Sequence, residues 1–252
     1  MHCSKSGTGV SNKGKQGKII FMQGRAWLII MAVILAVIVS GCGKDGNTDS
    51  VEPAKPAVST EPTVLEDKGA LQSAKTHLEI LAYSYAGLVE QLEHEGFSNE
   101  DAVYAADNCG ADWKEQAVKS AGFYIEVMPF SHSGLVDQLK YEGFTEEEAI
   151  YGADHCGADW KEQALKSAKT YLEALAFSYT GLIEQLELAG FTEEEAVYGA
   201  DNCGADWFEQ AVKSAANYLK YSTFTRENLI HQLEFVGFTS EQAVYGVEEN
   251  GL

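Results

Sequence analysis

Gly110-Ala111-Asp112-Trp113 returns as Gly157-Ala158-Asp159-Trp160 and again as Gly204-Ala205-Asp206-Trp207, each time after 47 residues. The same step carries Ser84 to Ser131, Ser178 and Thr225, and Gln91 to Gln138, Gln185 and Gln232. It also carries Gly96-Phe97 to Gly143-Phe144, Gly190-Phe191 and Gly237-Phe238. A fixed period of this length marks one supersecondary unit copied along the chain, and neighbouring copies are expected to bury one another's apolar faces.

Working outward from that stretch, each unit reads as three helices. Leu71, Ala74, Leu78, Leu81 and Ala82 stand at helical spacing, as do Trp113, Ala117, Val118, Ala121, Tyr124 and Ile125 one repeat later. Asp112 with Glu115, Asp159 with Glu162, and Asp206 with Glu209 resemble capping boxes at the start of this first helix. A second helix starts at Ser84, Ser131, Ser178 or Thr225 and stops at the Gly before Phe, where glycine accepts the left-handed conformation and Phe can fold back on the apolar face. A third opens with Thr145 and Glu148, Thr192 and Glu195, or Thr239 and Gln242, with Ser98 and Asp101 standing in for them in the first unit.

The fold class expected is therefore all-α: four tandem 47-residue, three-helix repeats at 69–111, 112–158, 159–205 and 206–252. In each, the second and third helices have the outline of a helix-turn-helix joined to its neighbours by the first helix.

The chain ahead of the repeats has a different character. A basic stretch leads into Ala26 to Val39, fourteen residues without a charge. At roughly 1.5 Å per residue this falls well short of the ~30 Å hydrocarbon layer, so it suits a signal-peptide core better than a spanning helix. The basic stretch is long for a signal peptide, which leaves Met22 beside Met1 as a candidate start. Val39-Ser40-Gly41-Cys42 then resembles a lipobox, in which small residues admit the peptidase and the Cys42 thiol accepts a diacylglyceryl group. The reading is a lipoprotein signal peptide over 1–41, a lipidated Cys42 as the only covalent attachment, and no cofactor. Residues 42–68, with Pro53, Pro56 and Pro62 among Ser, Thr, Lys and Glu, show no apolar periodicity and read as a disordered tether. As a flexible coil it would span about 25 to 30 Å.

All 38 acidic residues follow Gly41, against 13 of the 18 basic ones, which gives a formal charge of -25 from Cys42 onward. Such a surface repels nucleic acid and anionic headgroups and attracts basic partners. The third helices sharpen this: Thr-Glu-Glu-Glu at 145–148 and 192–195 sets carboxylates where a recognition helix would meet phosphates, a place that suits the positive end of the helix dipole instead. Glu146, Glu147, Glu193 and Glu194 are the candidate contacts for a basic partner, weighed against a solvated face that merely favours a helix start.

The remaining chemistry is sparse. Cys109, Cys156 and Cys203 occupy equivalent places in successive units, in phase with small apolar residues, and are expected as free thiols, since equivalent residues of packed units stand too far apart to bridge. His155 beside Cys156 is matched by Asn108 and Asn202 elsewhere, so no metal is expected. Trp113, Trp160 and Trp207, with Tyr104, Tyr151, Tyr198 and Tyr245, are expected in the core. Ser131-His132 has no counterpart in the other units, and no catalytic set stands out.

The pattern Phe177-Ser178, Gly181-Leu182, Gln185-Leu186, Gly190-Phe191-Thr192, Ala196 and Tyr198, leading to Gly204-Ala205-Asp206-Trp207 and Gln210-Ala211, resembles the Ltp-type host cell surface-exposed lipoproteins. The resemblance spans 69–252, and the lipobox belongs to the same architecture. It implies helix-turn-helix-like repeats held by lipid on the outer face of the cell membrane. It also implies superinfection exclusion, in which the lipoprotein engages an injected phage tail component, the tape-measure protein, and blocks DNA entry. The alternative is a cell-envelope lipoprotein for adhesion or wall interaction. The chain departs from the family pattern in its three repeat cysteines and in having four units.

Overall fold

The computed structural model describes residues 66–252; the expected signal peptide, Cys42 and the tether up to residue 65 lie outside the described residues. Twelve helices and no strand are found among the described residues. They are α1 (Glu66–Ile80), α2 (Tyr85–His94) and α3 (Asn99–Asn108); α4 (Trp113–Val127), α5 (His132–Tyr141) and α6 (Glu146–His155); α7 (Trp160–Ala174), α8 (Tyr179–Leu188) and α9 (Glu193–Asn202); and α10 (Trp207–Tyr221), α11 (Arg226–Phe235) and α12 (Ser240–Glu248). The chain is all-α, one long and two short helices repeated four times.

The punctuation explains the helices. Ser84, Ser131, Ser178 and Thr225 are extended N-caps whose hydroxyls accept from the backbone N–H three residues on. Thr145, Thr192 and Thr239 form complete capping boxes with Glu148, Glu195 and Gln242. Asp112, Asp159 and Asp206 cap α4, α7 and α10 by accepting two N–H groups each, and the reciprocal Glu bond of a box is not made. The second helices end in Schellman motifs: in α8, Phe191 N–H donates to Leu186 and Gly190 N–H to Glu187, with Gly190 at φ 90. The Phe that follows is buried at 144, 191 and 238.

Helix α1 begins at Glu66, three residues ahead of the boundary expected at 69.

Each repeat closes a core of its own. In repeat 3, Ala164 and Ala168 of α7 meet Leu182 and Leu186 of α8 and Ala196 and Ala200 of α9, all essentially without solvent exposure. Repeats 1 and 4 repeat this with Leu88 and Leu92, and with Leu229 and Leu233. The expectation that units bury one another's faces is thus corrected. Small residues let the long and third helices approach so closely that the unit's main apolar faces meet inside it: a Cβ on Gly199 would lie 2.9 Å from the Ala164 carbonyl oxygen.

What crosses from unit to unit is narrower. Trp113 packs on the core of repeat 1 and Trp207 on that of repeat 3, and each meets a tyrosine of the preceding unit edge to face, Tyr85 and Tyr179, at 5.5 Å. The tryptophans are therefore half-buried packing residues, as expected, but they serve the unit before their own. The four tyrosines depart from expectation. Tyr104 and Tyr245 are exposed and Tyr151 and Tyr198 half-exposed, because this position of the third helix meets only the first turn of the long helix. There Lys114 lies over Tyr151, Lys161 over Tyr198, and Phe208 against Tyr245.

Candidate functional site

The four candidate carboxylates sit in the first turns of α6 and α9 and are exposed. Three of them have cations of their own. Glu147 Oε1 accepts from Lys114 Nζ at 2.7 Å, Glu194 Oε1 accepts from Lys161 Nζ at 2.7 Å, and Glu146 lies 3.5 Å from Lys140 Nζ. The lysine hydrogen bonds hold Glu147 and Glu194 below the usual carboxylate range and raise Lys114 and Lys161 in return. Glu193 alone makes no ion pair among the described residues, because Glu187 stands where repeat 2 has Lys140. The structure thus divides the candidates between two repeats and pairs most of them with lysines from the same unit. Exposed pairs of this kind add little stability.

The other singled-out residues have local occupations. Cys109, Cys156 and Cys203 are free, half-buried C-caps, and each S–H donates to the carbonyl three residues back at 3.2, 3.3 and 3.1 Å. They sit at the helix edge, where Cys109 and Cys203 pack against the cores of repeats 1 and 3. His155 Nδ1 lies 2.9 Å from the Tyr151 carbonyl, the same bond that Asn108 and Asn202 make at their positions, which explains how His replaces Asn there. Ser131 and His132 diverge: the Ser131 hydroxyl donates to the Ala189 carbonyl, while His132 Nε2 meets Asp154 at 2.8 Å and its ring meets Trp160. Tyr85 with Asp107, Tyr179 with Asp201 and Arg226 with Glu248 fill the same place in the other repeats.

Sequence reasoning did not find the seams between repeats. Ser84 Oγ donates to Glu142 O at 2.5 Å, Ser131 Oγ to Ala189 O at 2.6 Å, and Ser178 Oγ to Val236 O at 2.6 Å. The N-cap serine of one second helix thus satisfies an orphan carbonyl at the end of the next. Ser133 and Thr180 add bonds to Gly190 O and Gly237 O at 3.0 and 3.1 Å, and Ala86 makes none at the first seam. Gln163 Oε1 accepts from Phe130 N–H across the second seam at 3.4 Å. The serines had read only as caps; the signal for the second role was Ser persisting where the cap alone would accept Asp or Asn equally well.

The seams are also where large apolar side chains are left in solvent. The residue ending each second helix is His94, Tyr141, Leu188 or Phe235, all exposed. Val127 ends α4, and Leu175 follows α7, each ahead of the serine that makes the seam bond. Among the described residues no helix is long and apolar enough to cross a membrane, and no group of three metal-ligating side chains is brought together.

Comparison with curated proteins and with solved structures finds no significant match. Comparison with protein families finds one whose description is host cell surface-exposed lipoprotein, Ltp, matching at 66–109, 112–156, 159–203 and 206–249. These four matches fall on the four three-helix units, and the chain belongs to the family of Ltp host cell surface-exposed lipoproteins.

Proposed function

We propose that the chain is a lipid-anchored binding protein on the outer face of the cell membrane that excludes superinfecting phage by engaging an injected tail protein and blocking DNA entry. The observation that carries this reading is the run of four surface-lipoprotein repeats behind a lipobox at Cys42. The signal peptide over 1–41 delivers the chain, the diacylglyceryl group on Cys42 holds it, and the tether lets the array stand where an ejected tail protein must pass. A formal charge of -25 from Cys42 onward raises its encounter rate with a basic protein and disfavours nucleic acid. The reading is of a binding protein, in which the Ser131 hydroxyl serves a seam and His132 meets Asp154.

The test expresses the full chain and its Cys42→Ala form in a phage-sensitive host and measures adsorption and DNA entry separately. Adsorption is expected to be unchanged, DNA entry is expected to fail for particular phages, and Cys42→Ala is expected to release the protein and restore entry. Equal infection of every strain across a broad phage panel would remove the exclusion reading and leave envelope adhesion or wall interaction as the better account.

A further inference from the structure

We propose that the seams joining repeats 2 to 3 and 3 to 4 form a docking surface for a basic amphipathic helix of a partner protein, with Val127 and Leu188 at one seam and Leu175 and Phe235 at the other supplying the apolar contact. The inference rests on the reading of the chain as a binding protein, and it moves the contact away from the acidic helix starts.

These four side chains are 52, 58, 55 and 86 % exposed, respectively. Leu188 and Phe235 recur at the 47-residue register, while Val127 is the last residue of α4 and Leu175 the C-cap of α7. Exposed apolar residues scattered singly need no explanation, but large ones recurring at equivalent places beside a built junction mark an interaction surface. The junctions are built. Ser131 and Ser133 hold Ala189 and Gly190, and Ser178 and Thr180 hold Val236 and Gly237. Leu188 and Phe235 each directly precede a residue whose carbonyl is bonded across the seam, so their backbone is fixed before any partner arrives.

The charge around them selects the partner. Glu126 precedes Val127, Glu187 precedes Leu188, and Glu173 lies two residues before Leu175; none of the three has an ion pair among the described residues. Glu234 precedes Phe235 and accepts from Ser240. An anionic bilayer, a nucleic acid or a second copy of this acidic chain would bring like charge to these carboxylates. A helix with an apolar stripe bordered by Lys and Arg matches both features, reading the seams with its stripe and the glutamates with its edges.

The probe is a synthetic amphipathic helix of about five turns, leucine on one face and lysine on the other. Its binding is measured by fluorescence anisotropy to the full lipidated chain in neutral phosphatidylcholine nanodiscs, with empty nanodiscs subtracted. The Leu188→Ser, Phe235→Ser double variant, altered only at exposed positions, is expected to melt as the native chain does and to bind about tenfold or more weakly. Glu146→Gln with Glu193→Gln is expected to change binding less than twofold. Equal binding by the seam variant, equal binding of a helix with Glu in place of Lys, or a native dimer dissolved by Phe235→Ser would each overturn the proposal. The phage assay separates the two readings. Seam variants that lose the helix yet still exclude phage would overturn the docking surface alone, whereas seam-dependent helix binding without exclusion by any strain would sustain the surface and remove the phage role.

Discussion

At Glu142 a carboxylate closes the second helix of repeat 2 with little to hold its charge. Its oxygens accept from Ser120 Oγ at 3.1 Å and from Gln138 Nε2 at 3.3 Å, and burial pushes its pKa from 4.5 to about 7 against the lowering effect of Ser120. Glu95, one repeat earlier, is also pushed up by burial, but Ser73, Gln91 and His77 all bond to it and its pKa ends below the usual value. At the same register His77 stands against Tyr124, and Glu142 is more buried than the exposed Glu95; repeats 3 and 4 avoid the issue with Ala189 and Val236. The sign follows from linkage. Below pH 4.5 Glu142 is protonated folded or unfolded; as pH rises the unfolded chain ionises first, so stability falls across the interval up to about 7. Glu142→Gln is therefore expected to stabilise the protein by about 1 to 3 kcal/mol at pH 8 and by far less at pH 4, as read from urea unfolding. An equal gain at both pH values would show that ionisation is not the cause.

At the scale of the helix, legibility followed local chemistry. Thr145 with Glu148 and Thr192 with Glu195 were readable as capping boxes because the bonds lie within four residues, and the Gly-Phe pairs were readable as helix ends for the same reason. The glycines inside the third helices were not, since a helical Gly reads as a weak helix former unless its neighbour in space is known. Gly199 is such a case, with the Ala164 backbone against the place its Cβ would occupy, whereas Gly122 in α4 has open space there. Alanine should separate the two. Gly199→Ala forces α7 and α9 apart and is expected to cost about 1 to 3 kcal/mol. Gly122→Ala is expected to add about 0.5 to 1 kcal/mol through helix propensity. Thermal melting of the two variants decides the matter: a stabilising Gly199→Ala would mean that the close approach does not constrain the helices. The acidic starts of α6 and α9 were legible as charge but not as pairs, because Lys114 and Lys161 come from a helix 33 residues away.

Over the whole array, the 47-residue step announced the repeat but left open how units are joined. Equivalent residues carry no information on whether an apolar side chain turns toward its own unit or the one before. Trp207 opens α10 of repeat 4 yet packs against the core of repeat 3, beside Tyr179, while α10 builds its own core from Ala211 and Ala215. In repeat 4, Asn250 donates to the Val212 and Gly246 carbonyls and ties the segment after α12 to that unit. In an array of self-sufficient cores, stability is close to a sum of unit terms and nearest-neighbour terms, and here the neighbour term rests on a half-buried indole and one or two hydroxyl bonds, joined at the second seam by the Phe130 to Gln163 bond. Trp207→Ala should therefore cost about 2 kcal/mol, less than for a fully buried aromatic, and should act mainly on the coupling of repeats 3 and 4. Hydrogen exchange on the full chain reads this directly. Amides of α7 to α12 are expected to lose protection by about tenfold or more, while those of α1 to α6 keep theirs, since tenfold corresponds to about 1.4 kcal/mol of opening energy. A uniform loss from α1 to α12 would mean that the four cores open as one unit. The seams would then be strong cooperative joints, and the free energy assigned to separate cores would have to be reassigned to the contacts between them.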